Sequence, residues 1–243
     1  MRILIVPIAL VTLLSGWAQQ PSGQQSVPFV GCPADGQTGP IAAPHGQPRT
    51  VTLPRTIASA LAYYAGAVGP GVFAPRGWRC RVRYGSGGGG ILVAPTLPLR
   101  GTRGAAVEED DALAGTSGRF EVAFTAARLF RKVAASFIEQ VRKEGLAADS
   151  EFAHGPYPDD SLSYLDSATV QYVTPPFREG LGTKGILVPS AEPIRGLVML
   201  DLPDSDSDGG LSVLRVRLGR KLQGLALTLV RLNGPCNRRE GGC

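Results

Sequence analysis

The chain is poor in the residues that most often do chemistry. Of its 243 residues only two are histidine, His45 and His154, and four are cysteine. It has no H-E-x-x-H helix signature, so a zincin-type protease is excluded. No C-x-x-C pair exists to begin a zinc ribbon or a thioredoxin-type redox site. The nucleophile elbow Gly-x-Ser-x-Gly is also missing, because Ser86 has Tyr84 two places before it and Ser117 has Arg119 two places after it. No Gly-Lys-Ser/Thr follows the glycine-rich run, which removes the P-loop. Lysine and arginine form no block, and the formal net charge of +5 is too small and too dispersed for a nucleic-acid footprint.

Long apolar runs are scarce too. The longest begins at the N-terminus, where Arg2 precedes Ile3 to Leu14 and the small residues Gly16 and Ala18 flank Trp17. A short positive region, an apolar stretch and a small-x-small site make a secretory signal peptide over residues 1–18. The run is well short of the roughly 20 residues that a spanning helix needs, and no later segment is longer. Leu13-Leu14-Ser15-Gly16 begins like a lipoprotein signal, but Trp17 stands where the acylated cysteine would be. The expected product is therefore soluble, periplasmic or secreted, and starts at Gln19.

Export sets the reading of the cysteines. Cys32, Cys80, Cys236 and Cys243 all follow the signal, and an even number in an exported chain implies disulfides. Four cysteines allow three pairings. Cys236 and Cys243 enclose a short polar loop with two glycines, so the expected bridges are Cys32–Cys80 and Cys236–Cys243.

Residues 19–50, rich in Gln, Pro and Gly, read as an irregular leading segment, and residues 51–243 as one domain. Ile57, Leu61, Tyr64 and Val68 recur at helical spacing before Gly69-Pro70-Gly71. The stretch "WRCRVRY" alternates, with Trp78, Cys80, Val82 and Tyr84 on one face and Arg79, Arg81 and Arg83 on the other. A second strand, Ile91 to Ala94, follows the glycines and ends at Pro95. Residues 96–118, with the acidic run Glu108 to Asp111, read as a long exposed loop. From Phe120 to Val141 apolar residues recur at three and four, closed by Gly145. The basic residues on the opposite side of that helix are expected to form a solvated face. Strands are expected at Ala168 to Thr174, Ile186 to Val188, Leu197 to Leu202 and Leu211 to Leu218, and a last helix carries Leu222, Leu225, Leu229 and Leu232. Strand runs between separated helices predict an α+β fold with a mainly antiparallel sheet and about three helices.

Few motifs carry chemistry. Gly85, Gly87 and Gly90 match G-x-G-x-x-G in form, but the fingerprint requires a helix after the glycines, and here Ile91-Leu92-Val93 and a proline follow. A hairpin turn, in which glycine readily takes positive φ, is the simpler expectation. Asp204, Asp206, Asp208 and Gly209 are spaced like the start of an EF-hand loop, yet the twelfth position is Arg215 where a bidentate Glu belongs. Ca²⁺ in another geometry is the functional reading of these aspartates, and a solvated turn the structural one; no other cofactor is expected. His154 with Asp159 or Asp160 could form an acid–base or metal site, while an N-cap for a turn before Leu162 is the simpler role for the aspartates.

Two functions follow. The favoured one is a non-enzymatic exported envelope protein that binds an anionic small molecule or a protein partner through Arg79, Arg81 and Arg83, with no nucleic acid involved. The other is a periplasmic metal-assisted or acid–base hydrolase built on His154, Asp159 and Asp160.

Overall fold

The computed structural model describes residues 23–98, 100–203 and 209–234. The signal segment, Asp204, Asp206 and Asp208, and the pair Cys236 and Cys243 lie outside the described residues.

Four short strands open the chain: β1 (Gly23–Val27), β2 (Phe29–Gly31), β3 (Ala34–Gly36) and β4 (Arg49–Leu53). A single helical turn, α1 (Arg55–Ala58), leads to β5 (Leu61–Ala65) and β6 (Gly71–Pro75), then to the hairpin β7 (Arg79–Gly85) and β8 (Gly88–Ala94). Next come β9 (Ala106–Leu113), α2 (Arg119–Leu129) and α3 (Ala135–Lys143). β10 (Ser161–Tyr164), β11 (Thr169–Thr174), β12 (Ile194–Asp201), β13 (Gly210–Arg217) and α4 (Ala226–Leu232) complete it. The large sheet runs β10-β11-β12-β13-β9-β8-β7-β3, antiparallel except where β3 lies parallel to β7. β2, β5 and β6 form a three-stranded sheet, and β1 pairs β4. The fold is α+β, with a stapled and mainly antiparallel sheet. No helix among the described residues is long and apolar enough to cross a membrane.

The large sheet is buried on both sides. Alternation sends Cys80, Val82, Val93, Val107, Leu197 and Leu214 to one side, where they pack with β5, β6 and α4. It sends Val170, Val198, Leu211 and Val213 to the other, against α2 and α3. Cys32 and Cys80 are bridged, as expected, tying the chain between β2 and β3 to β7 across 48 residues. The basic face of α2 and α3 is engaged in part: Arg142 pairs with Asp149 at 2.7 Å and Lys143 with Glu139 at 3.9 Å.

Several expectations are corrected. The helix expected from Thr56 to Val68 stops after one turn, and Leu61–Ala65 is a strand between β2 and β6. Its Leu61, Ala62 and Tyr64 are all buried, and such a strand mimics helical spacing because it need not alternate. The leading segment expected to be irregular over residues 19–50 carries β1, β2, β3 and the start of β4, which find partners in each other and in β5 and β7, while residues 37–48 stay outside any strand apart from the bridge of Ile41 to Ala34. The expected loop at 96–118 contains β9, between β8 and β13. Ile186 to Val188 contributes one bridge, Thr102 with Leu187, rather than a strand.

The long helical pattern is two helices. The Tyr164 hydroxyl donates to the Leu129 carbonyl at 2.9 Å, and the Val133 N–H bonds to Phe130 instead. The carbonyl that would continue α2 is thus taken by a side chain. Gly145 ends α3 at φ 66°, its N–H bonding the Arg142 carbonyl at 3.1 Å.

Candidate functional site

The acidic run Glu108-Glu109-Asp110-Asp111 lies in the middle of the large sheet. With a period of two, Glu108 and Asp110 face the α2 and α3 side while Glu109 and Asp111 face the other. Glu108 and Glu109 are 1% and 0% exposed, so each needs a partner to be there at all. The partners are far along the chain. Arg215 of β13, directly opposite Glu108, places Nη1 2.6 Å from Asp110 Oδ2 and 3.7 Å from Glu108 Oε2. Both Glu108 oxygens accept the Ile186 N–H, at 3.1 and 3.0 Å. On the other side the Ser212 hydroxyl donates to Glu109 Oε1 at 2.7 Å.

The glycines after β7 find their explanation here. β7 and β8 form a hairpin closed by Ser86 and Gly87, with Gly88 at φ 139°. Further along β8, Gly90 stands between Arg83 and Asp110 on the same face, and a Cβ there would overlap the Asp110 carboxylate. Its bareness lets Arg83 reach over the strand to Asp110 at 3.2 Å and to Glu108 at 3.9 Å. Gly185 is required in the same way, since a Cβ would overlap the Glu108 carboxylate.

Burial pushes the Glu108 pKa above the usual carboxylate range, against the pull of Arg215. Asp111 is pushed up to about 6, by burial first and then by the charge of Asp110, while a hydrogen bond with Ser212 opposes the shift. Burial works against the charge of Arg215, but Tyr172, Glu108 and Asp110 together hold its pKa above the ordinary arginine value.

Above this ion-paired floor is a cleft of about 530 Å³ whose lining includes Arg83, Arg100, Asp110, Glu121, Lys184 and Arg215. It continues past Phe124, Arg128 and Tyr157 into a second hollow of about 350 Å³, which shares Glu121, Lys184 and Arg215. A third, of about 370 Å³, lies over Gly87 to Gly90 and shares Arg83, Asp110 and Glu121. The strands supply the floor, α2 supplies Glu121, and the segments around 100 and 184 supply two further cations. Arg217 fixes both of those segments. It is 1% exposed, and its guanidinium donates to the carbonyls of Thr102 at 3.2 Å and Val188 at 2.5 Å.

The expected site residues are dispersed. Arg79 is exposed, Arg81 donates to the Pro98 carbonyl at 2.8 Å, and Arg83 alone of the three lines the cleft. His154 Nε2 accepts from Arg131 at 3.1 Å, and Asp159 lies 3.7 Å from Arg178. Asp160 accepts from the Thr174 hydroxyl at 2.6 Å and the Leu181 N–H at 2.8 Å. It thus caps the turn Leu181–Thr183 from across the chain, not a turn before Leu162, which belongs to β10. Among the described residues no group of three or more His, Cys, Asp or Glu is placed to hold a metal ion.

Glu108, Asp110, Arg215, Arg100, Lys184 and Glu121 were not singled out by sequence. One signal pointed to the first three: "LSVLRVR" sets arginines on one face of an otherwise apolar strand, and such a face needs carboxylates. Comparison with known proteins finds no match, whether to a family model, a curated sequence or a solved structure.

Proposed function

We propose that the protein is an exported, non-enzymatic binding module that takes a small carboxylate- or phosphate-bearing ligand in the cleft over β9 and β13. The observation that carries this reading is that Arg100 and Lys184 border the cleft with no carboxylate within ion-pair distance among the described residues. Arg83 adds a third cation, 65% exposed and already oriented by Asp110. Exposed cations around a concave surface offer an anion charge-assisted hydrogen bonds. The Cys32–Cys80 bridge supports export, because disulfides persist in oxidising compartments.

Nothing comparable favours hydrolysis, since His154, Asp159 and Asp160 each have a separate partner. The test is thermal unfolding in succinate or phosphate against chloride at equal ionic strength. A ligand at a hundred times its Kd adds about 2.7 kcal/mol to the native state. For a chain of this size that moves Tm by several degrees. The wild type is expected to show the rise and the double variant Arg100→Gln, Lys184→Gln to lose it. No rise, or an equal rise in the variant, rejects the reading.

A further inference from the structure

Resting on the reading that the cleft takes a small anion, we propose that its ligand is a zwitterion, an amino acid or short peptide, whose ammonium group is received by Glu121. Glu121 lines all three connected hollows. Its carboxylate has a weak hydrogen bond from the Thr125 hydroxyl at 3.4 Å and no cation within ion-pair distance among the described residues. Two of the cations near it are turned elsewhere: Arg119 is paired with Glu144 at 2.7 Å and Arg128 lies over the Tyr157 ring at 4.4 Å. Lys184 rests against the same ring at 5.0 Å but has no carboxylate within ion-pair distance among the described residues, so its charge stays open to the cleft.

The cleft therefore presents both signs of uncompensated charge, Arg100 and Lys184 from the loops and Glu121 from α2. Asp110 and Arg215 on the floor already neutralise one another at 2.6 Å. A small anion bound here leaves Glu121 unmatched, and a cation leaves Arg100 and Lys184 unmatched. A molecule with a carboxylate and an ammonium group satisfies all three, and so binds more tightly than either. Phe124 and Tyr157 in the adjoining hollow offer apolar surface to a side chain between the two ends.

The test is an NMR titration of the folded chain with tri-alanine, N-acetyl-tri-alanine and tri-alanine amide. Tri-alanine is expected to shift the amides of Glu121, Lys184 and Gly185. Acetylation, which removes the ammonium, is expected to weaken binding about tenfold, the worth of one charge-assisted hydrogen bond. Glu121→Gln, an exposed substitution, is expected to weaken tri-alanine by a similar factor and leave the acetylated peptide unchanged. If the acetylated peptide binds as well as the free one while the amide does not, the zwitterion proposal is overturned and the anion reading stands. If the amide binds as well as the free peptide, the anion reading falls. Binding by none of the three overturns the zwitterion proposal, and the succinate and phosphate melts then decide the anion reading separately.

Discussion

At the scale of single residues, the molecule places ionised groups inside a sheet, and their costs should be measurable. Asp111 has a native pKa of about 6 against 3.8 for an ordinary aspartate. The native state therefore binds that proton more tightly than the unfolded chain does. Stability is fully present below pH 4 and falls as pH rises through 6, leaving a cost of about 3 kcal/mol at neutral pH. Glu108, also raised by burial, adds to the slope in the same direction. Asp111→Asn removes the titration, so urea unfolding at pH 4 to 8 should show a flatter profile and a variant more stable than wild type at pH 7. A variant profile as steep as wild type would remove Asp111 as the source. Arg215 is the opposite case. Arg215→Met leaves Glu108 and Asp110 side by side with only the exposed Arg83 to balance them. Breaking a buried pair in this way costs about 3–5 kcal/mol. The loss should shrink as pH falls from 7 to 5, because burial raises the Glu108 pKa and the abandoned carboxyl can take up a proton, and an equal loss at both pH values would assign it to packing.

At the scale of elements, what could be read in the sequence depended on whether an element's partners lie close by. The β7 and β8 hairpin was legible because its alternation, its glycines and Pro95 are all local. So was the β12 and β13 pair, and so was Gly145 as the end of α3. β9 reads as an exposed loop in the sequence because its acidic residues are buried only by groups supplied from elsewhere: Ser212, Arg215 and the Ile186 N–H, between 78 and 105 residues away. The candidate cleft inherits that distance, and of the arginine ridge only Arg83 reaches it. The break between α2 and α3 depends on Tyr164, 35 residues beyond the carbonyl it caps. α4 shows the same dependence. The buried side chain of Asn233, at its end, accepts from the Phe73 N–H at 2.7 Å and donates to the Phe73 carbonyl at 3.0 Å. A side-chain amide thus serves as the next strand beside β6 and fixes α4 to the small sheet. Asn233→Ala leaves a buried N–H and a buried carbonyl unpaired, and should cost about 2–4 kcal/mol. Hydrogen exchange at Phe73 should accelerate beyond that of Tyr172 in the large sheet. Equal acceleration at both would place the effect in global unfolding rather than at this joint.

At the scale of the whole molecule, two large cores share one sheet, beside a smaller cluster of Leu92, Ala94, Ala106, Leu187 and Ile194. Neighbouring residues of the same strands divide between them: Leu197 and Leu214 belong to the core beneath α4 and β5, and Val198 and Val213 to the one beneath α2 and α3. Neither layer can lose its packing without exposing the reverse side of the strands that support the other. The disulfide adds to this coupling, because it fastens the leading strands to β7 within the first core. Closing a loop across 48 residues is worth around 4 kcal/mol of unfolded-state entropy in the chain-entropy estimate. The chain should therefore unfold as one unit. In a form lacking residues 1–18, Trp78 is the single tryptophan and packs against the first core, while much of the helical circular dichroism comes from α2 and α3 over the second. Urea transitions followed by tryptophan fluorescence and by circular dichroism at 222 nm should coincide. Replacing Cys32 and Cys80 by serine should move both midpoints down together. If the replacement lowered the fluorescence midpoint alone, leaving the helical signal in place, the layers would be separate cooperative units and the shared sheet would not be coupling them.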